Sequence, residues 1–342
     1  MFRSKAPLRI GLAGGGTDVS PYADLHGGAI LNATISLYAY ASIQLIPEKK
    51  IIIEALDRSE EQVHPLQAEL PIDGTLDLAK GVYNSVVKRY NPELHGFRLS
   101  TFVEAPAGSG LGTSSTLVVT ILGAFAEWLK LPLGDYDTAH YAYEIERYDL
   151  KMAGGRQDQY AATFGGVNFM EFYADDKVIV NPLRIRPEYL HELGHNLLLY
   201  YTSTSRLSSD IIESQSRNVV NKNEKSIEAM HHLKDQARMM KEALLRGRVD
   251  EMGEILDYGF QHKKQMTRGI TNPLIDEIYE TARKAGATGG KISGAGGGGF
   301  MTFYCPANTR YAVMKAMEKF EGYFKPYQFV DHGLITWSPN GK

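Results

Sequence analysis

One cysteine in 342 residues, Cys305, leaves no partner for an internal disulfide and favours a reducing compartment. Charge of one sign is also missing. Lys and Arg number 37 against 40 Asp and Glu, a net charge of −3 that gives no reason to expect nucleic acid or an acidic membrane as partner. No apolar run approaches the ~20 residues that cross a bilayer. The N-terminal stretch MFRSKAPLRIGLAGGG lacks the apolar core of a signal peptide and reads as a first strand. Together these absences lead to the expectation of a cytoplasmic protein. Internal repeats and low-complexity linkers are missing too. Lys222–Lys225 and Lys263–Lys264 are the small basic clusters, and they read as solvated helix faces.

What remains is an ordinary globular composition, 43% hydrophobic and 23% charged, with 34 glycines gathered in clusters. The length predicts two domains, and the change of character around Pro182–Tyr189 sets them at 1–186 and 187–342. In the first, β-branched and aromatic runs at Ala29–Ile46, Lys50–Leu56 and Phe97–Val103 read as strands. Asp77–Tyr90 and about Thr138–Leu150 read as helices, with further strands near Gly166–Phe172 and Val178–Val180. In the second, Leu197–Thr202 opens a strand-first unit. Helices follow near Asn223–Arg246, Asp250–Gln265, Pro273–Ala285 and Arg310–Phe320, then a strand at Tyr327–Phe329. The fold class expected is α+β, with glycine loops converging on an interdomain cleft.

Three loops carry the chemistry. Pro106-Ala-Gly108-Ser109-Gly110-Leu111-Gly112-Thr113-Ser114-Ser115 places a glycine at every second position and runs into an apolar segment of helical length. Such a turn aims free N–H groups and the positive end of a helix dipole at one point, which suits a phosphate. Read without function, it is a tight turn with Thr113, Ser114 or Ser115 as N-cap. The first loop, Ala6 to Asp18, ends a strand in Gly14-Gly15-Gly16 and then presents Thr17 and Asp18. The third, Lys291 to Phe300, deletes side chains at Gly294, Gly296, Gly297 and Gly298, so that a ligand or another backbone can approach.

In this order the three loops resemble the three motifs of the GHMP small-molecule kinases, and the resemblance covers essentially the whole chain. Pro-x-Gly-x-Gly-Leu-Gly-[Ser/Thr]-Ser matches at every defining position. Gly-Gly-Gly-Thr-Asp, Ala126–Leu133, Tyr143–Leu150 and the run from Gly154 to Gly166 are similar to the heptose 7-phosphate kinases of that family, which phosphorylate an anomeric hydroxyl. The resemblance implies a ribosomal-protein-S5-domain-2-like first domain and a ferredoxin-like second one. It also implies ATP and Mg²⁺ as cofactors and a sugar phosphate as substrate, on a route to nucleotide-activated heptose and surface polysaccharide. A fucokinase-like enzyme and a non-catalytic sugar sensor are the alternatives. Oligomeric state is open, a homodimer included.

Roles carry over by position in the motifs. The loop from Pro106 to Ser115 would cradle the nucleotide phosphates, and the Ser114 hydroxyl would join Mg²⁺. Glu146, with Glu144 as its competitor, would complete the metal site. Asp158 would accept a hydrogen bond from the attacking hydroxyl, its simpler role being an N-cap. Arg9 would neutralise charge on the transferring phosphate. Asp18, with Gly15, Gly16 and Thr17, would meet sugar hydroxyls, and Gly296 and Gly297 would border the substrate. For the substrate's own phosphate the sequence offers Arg156, Lys5, Lys151 and Arg206 without choosing. Two short patterns are decoys. His191-Glu-Leu-Gly-His195 matches a zinc-protease motif, yet Gly194 is placed to end its helix. Gly294 to Gly299 fits a dinucleotide fingerprint but precedes a strand instead of following one.

Overall fold

A computed structural model describes residues 1–204 and 208–339. Seven strands build most of a first sheet: β1 (Phe2–Ala13), β2 (Gly28–Leu45), β3 (Lys50–Ala55), β4 (Glu60–Pro65), β5 (Phe97–Val103), β6 (Val167–Phe172) and β7 (Val178–Pro182). The spine is β2, 18 residues long. Along one edge it pairs with β1; along the other its first part, Gly28–Ala33, pairs with β6 and its last, Ala39–Leu45, with β5. All pairings are antiparallel except β3 with β5. Residues 28–35 of β2 are buried without alternation, and only from residue 36 does the half-buried pattern begin. The cause is cover on both faces: the 113–129 helix packs on this strand, and so does the Glu224–Leu245 helix of the second half.

The second sheet is antiparallel, in the order β11 (Tyr323–Phe324), β8 (Leu197–Tyr201), β10 (Phe300–Tyr304), β9 (Gly289–Ile292). Helices Met252–Met266 and Pro273–Lys284 pack on it, and Ile211 and Val219 of the Ser208–Val220 helix share its apolar cluster. One apolar core crosses between the halves: Leu8, Ile10 and Leu31 share a cluster with Ala237, Met240, Leu256 and Phe300. The chain then returns. β12 (Ile335–Trp337) pairs with β1 through Arg3 and Trp337, so the final segment lies on the first sheet. The strand expected at Tyr327–Phe329 is reduced to one bridge, Ile35 to Phe329. There the hydrogen-bonding partner is the irregular stretch of β2 near Thr34 and Ser36.

The helix beginning at Pro187 does not stop at Gly194, as its sequence suggests. It continues to Asn196, so His191 and His195 share an exposed helical face after all. Glu192 is occupied with the Asn196 amide, 2.7 Å away, and no group of three metal-ligating side chains forms among the described residues. The apolar 113–129 helix is buried over most of its length, as its composition demands.

Candidate active site

The glycine loop takes the form its sequence requires. Gly108, Gly110 and Gly112 have φ of 71°, 81° and 78°, a left-handed conformation at every second residue. That alternation turns successive N–H groups toward one concave side. Gly112 is itself the N-cap of the Thr113–Leu129 helix and offers no side chain, which corrects the expectation of a hydroxyl cap. The first-turn N–H groups of Thr113, Ser114 and Ser115 keep their capacity for an outside anion. Ser109 and Leu111 are fully buried and serve as scaffold: the Ser109 carbonyl accepts from Phe300 N–H at 2.9 Å, and the Leu111 carbonyl from Arg9 N–H at 3.2 Å. The third loop lies directly on this one. A side chain at Gly110 would sit 2.8 Å from the Ser293 backbone, and one at Gly294 would sit 2.7 Å from Gly110 Cα.

Arg9, near the end of β1, is 4% exposed. Its Nε and Nη2 reach the same Asp158 oxygen, Oδ1, at 2.7 and 2.6 Å, while Nη1 donates to Gly110 O at 2.5 Å. One guanidinium therefore links the acid to the glycine loop. Asp158 stands in the first turn of the Gln157–Phe164 helix, whose N-cap is Arg156. The simple role of Asp158 as N-cap is thereby excluded. The capping carboxylate comes from far away: Asp18 Oδ2 accepts from Arg156 N–H at 2.9 Å and Gln157 N–H at 3.1 Å. Gly155 makes room for it, because a Cβ there would fall 1.9 Å from that oxygen. Burial, and then the neighbouring Asp158 charge, push the Asp18 carboxyl above its ordinary value, against the pull of the Gln157 N–H.

Two further cations line the floor, and sequence reasoning passed over both. Lys263, read as part of a solvated cluster, is 4% exposed and donates to Gly294 O. Lys291 donates to Gly11 O at 2.8 Å. Desolvation, with Arg9 adding repulsion, brings Lys263 down to about 8; desolvation followed by Lys263 and Arg9 lowers Lys291 well below its usual range.

Glu146 is 1% exposed on a π-helical turn, Ile145–Asp149, that follows the Asp135–Glu144 helix. The Gln159 amide donates to Glu146 Oε2 and also to Ser115 Oγ at 3.1 Å, tying the acid to the Thr113–Leu129 helix. Glu144 faces the other way, toward Arg89 at 3.0 Å. The residues present fit a divalent cation. A carboxylate this deeply buried meets its nearest described cation, Arg147, only at 3.7 Å, and Gln159 Oε1 beside it has no partner. Glu146 and Ser114 would hold such an ion.

Several expected contacts take other roles. The Thr17 hydroxyl is buried between the carbonyls of Gly14 and Ala29, 2.8 and 3.0 Å away, so it shapes the loop instead of meeting substrate. Gly15 lies by the Lys263 ammonium, but Gly16 packs on Met266 and Gln215. Gly296 packs on Ile270, whose carbonyl accepts from Gly297 N–H at 2.8 Å. Arg156 is enclosed by Asp24, Asp176 at 3.5 Å, Ser20 Oγ and the Tyr173 carbonyl, so its charge is already matched. Lys5 lies over the Tyr38 ring, Lys151 is exposed, and Arg206 falls outside the described residues.

Residues 77–166 match the model of the GHMP kinases N terminal domain and 240–321 that of the GHMP kinases C terminal domain. The chain is 45% identical over 336 residues, 98% of either protein, to D-glycero-alpha-D-manno-heptose 7-phosphate kinase of Campylobacter jejuni. A D-glycero-D-manno-heptose 1-phosphate kinase structure from Bacteroides thetaiotaomicron superposes with a TM-score of 0.85 at 45% identity, covering 99% of each chain. Lactococcus lactis galactokinase, at 19% identity and a TM-score of 0.78 over 97% of this chain and 94% of its own, shares the fold. With both domain models matched and a relative this similar over nearly its full length, the chain belongs to the GHMP kinases and is a sugar kinase.

Proposed function

We propose that this protein transfers the γ-phosphoryl group of ATP to the anomeric hydroxyl of D-glycero-D-manno-heptose 7-phosphate, giving the 1,7-bisphosphate. The observation that carries the reading is Asp158, held by Arg9 against the glycine loop at a helix N-terminus. Phosphoryl transfer needs positioning and charge neutralisation more than covalent chemistry from the protein. Of the loop N–H groups from Gly108 to Ser114, that of Ser109 is spent on the Pro106 carbonyl at 3.2 Å, and the others bind the nucleotide phosphates. The Asp158 carboxylate accepts the hydrogen bond of the attacking hydroxyl and takes its proton as the O1–phosphorus bond forms. The bond from γ-phosphorus to the bridging oxygen then breaks and ADP departs. Arg9 keeps the acid in place and its guanidinium faces the developing charge. A Mg²⁺ ion held by Glu146 and Ser114 would supply further neutralisation of the phosphate oxygens.

The two relatives' names differ in the carbon that bears the sugar's phosphate, so the choice of the 7-phosphate is part of the proposal. A coupled ADP-release assay over heptose 7-phosphate, heptose 1-phosphate, free heptose, fucose and galactose tests it. Preference for the 7-phosphate with product phosphate at C1 is expected, and turnover of another acceptor alone would sink it. Asp158→Asn should lower kcat by at least ~100-fold with the Kd for ATP nearly unchanged. Parallel loss of nucleotide binding would make Asp158 a structural residue.

A further inference from the structure

A phosphorylated acceptor needs a cation for its own phosphate, and the arginine expected to supply it, Arg156, is closed off by Asp24 and Asp176. Asp18 lines a cavity of about 430 Å³, within the roughly 300–1,000 Å³ range of small-molecule sites. Asp18 caps the helix whose second residue is Asp158, so the cavity begins next to the proposed base. Two guanidiniums flank it from the two halves of the molecule: Arg147 on the π-helical turn and Arg217 on the Ser208–Val220 helix.

Arg147 is built for the purpose. Its side chain is 12% exposed and is held by main-chain carbonyls: Nε and Nη2 donate to Gly155 O at 3.3 and 3.2 Å, and Nη1 to Met152 O at 3.4 Å. Glu146, the nearest described acid, stays at 3.7 Å. Gly154 gives the guanidinium its place, since a Cβ there would lie 2.3 Å from it. These carbonyls fix the guanidinium and use one N–H of each nitrogen, with Glu146 sharing its charge across 3.7 Å, which leaves the second N–H of Nη1 and of Nη2 for an anion in the cavity. Arg217 is exposed, with Glu213, also in the cavity wall, at 3.8 Å.

We infer that Arg147 and Arg217 form the subsite for the remote phosphate of the sugar-phosphate acceptor, clamped between the two halves of the chain. This rests on the proposed acceptor being a sugar phosphate, and it assigns the discrimination between phosphorylated and free sugar to these two residues.

The test measures kcat/KM for heptose 7-phosphate and for unphosphorylated heptose, the latter also as a competitive inhibitor. It compares wild type with Arg147→Gln and Arg217→Gln. The ratio of the two kcat/KM values, or of KM to the inhibition constant, should fall at least ~10-fold in each variant while KM for Mg·ATP holds. Arg217→Gln alters an exposed side chain, so its result stands even if Arg147→Gln perturbs the 152–155 segment. Arg217→Lys should restore part of the ratio. An unchanged ratio overturns the subsite and leaves the kinase reading intact. Failure of wild type to use heptose 7-phosphate overturns the reading beneath both.

Discussion

Single residues on the cleft floor show how burial changes chemistry. Lys263 has an ordinary value of 10.5 and is brought to about 8 in the fold by desolvation and Arg9. Between those values the unfolded chain binds more protons than the native one, so the group's contribution to stability rises as pH climbs from about 8 to 10.5. Below about 8 the buried charge carries its full cost. Lys263→Met should therefore show its most favourable Tm, relative to wild type, near pH 7, and that difference should shrink toward pH 10. A difference independent of pH across this range would refute the burial argument. Lys263 was legible in principle. It lies in phase with Ile255, Leu256, Gly259, Phe260 and Met266 on the buried stripe of its helix, and a lysine there cannot be a solvated face. Asp18 was legible as a motif residue, but not as a cap, because its partners lie 138 and 139 residues away. Gly155→Ala should displace that carboxylate and leave the helix uncapped. The expected loss is about 2 kcal/mol or more, read by urea unfolding. Full stability would show that Asp18 relocates freely.

Among elements, the loops and helices were read with unequal success. Alternate glycines announced the left-handed turns at 108, 110 and 112 because few other residues tolerate them. Their contact with the third loop was invisible, being backbone against backbone with no pattern to betray it. Gly110→Ala meets both problems at once, a φ of 81° and a 2.8 Å approach to Ser293. It should weaken ATP binding at least ~10-fold by calorimetry, as the cradle loses its form; unchanged affinity would show that the loop does not bind the nucleotide. The helix expected through Leu150 instead relaxes into a π-helical turn at Ile145–Asp149, which is how Glu146 turns inward while Glu144 faces Arg89. Period alone treats these two acids alike. The Pro187–Asn196 helix likewise ignores its glycine, because Gly194 lies against Phe329 and tertiary packing outweighs a weak propensity.

Across the whole molecule, the C-terminal segment binds the halves together. Val330 N–H donates to Thr34 O at 3.0 Å, Leu334 N–H to Thr163 O at 3.1 Å, and β12 covers the free edge of β1. Leu334 also lies on Gly123 of the Thr113–Leu129 helix, where a Cβ would find it at 2.8 Å. Truncation after Pro326 should therefore destabilise the first sheet despite removing only residues that follow the second. Amide exchange in β1 should accelerate, and Tm should fall by at least ~5 °C. Unaltered protection in β1 would count against this dependence.

Resemblance to the kinase motifs pointed to Asp158, Arg9 and a phosphate cradle, whereas the sequence by itself determined the α+β character, the three glycine loops and their order. Those properties are written in local backbone demands and in spacing along the chain. Which acid turned inward, which lysines lost their water, which arginine lines the cavity and where the last strand went were decided only by tertiary structure. Each depends on groups distant in sequence, brought together by burial and not by any local period.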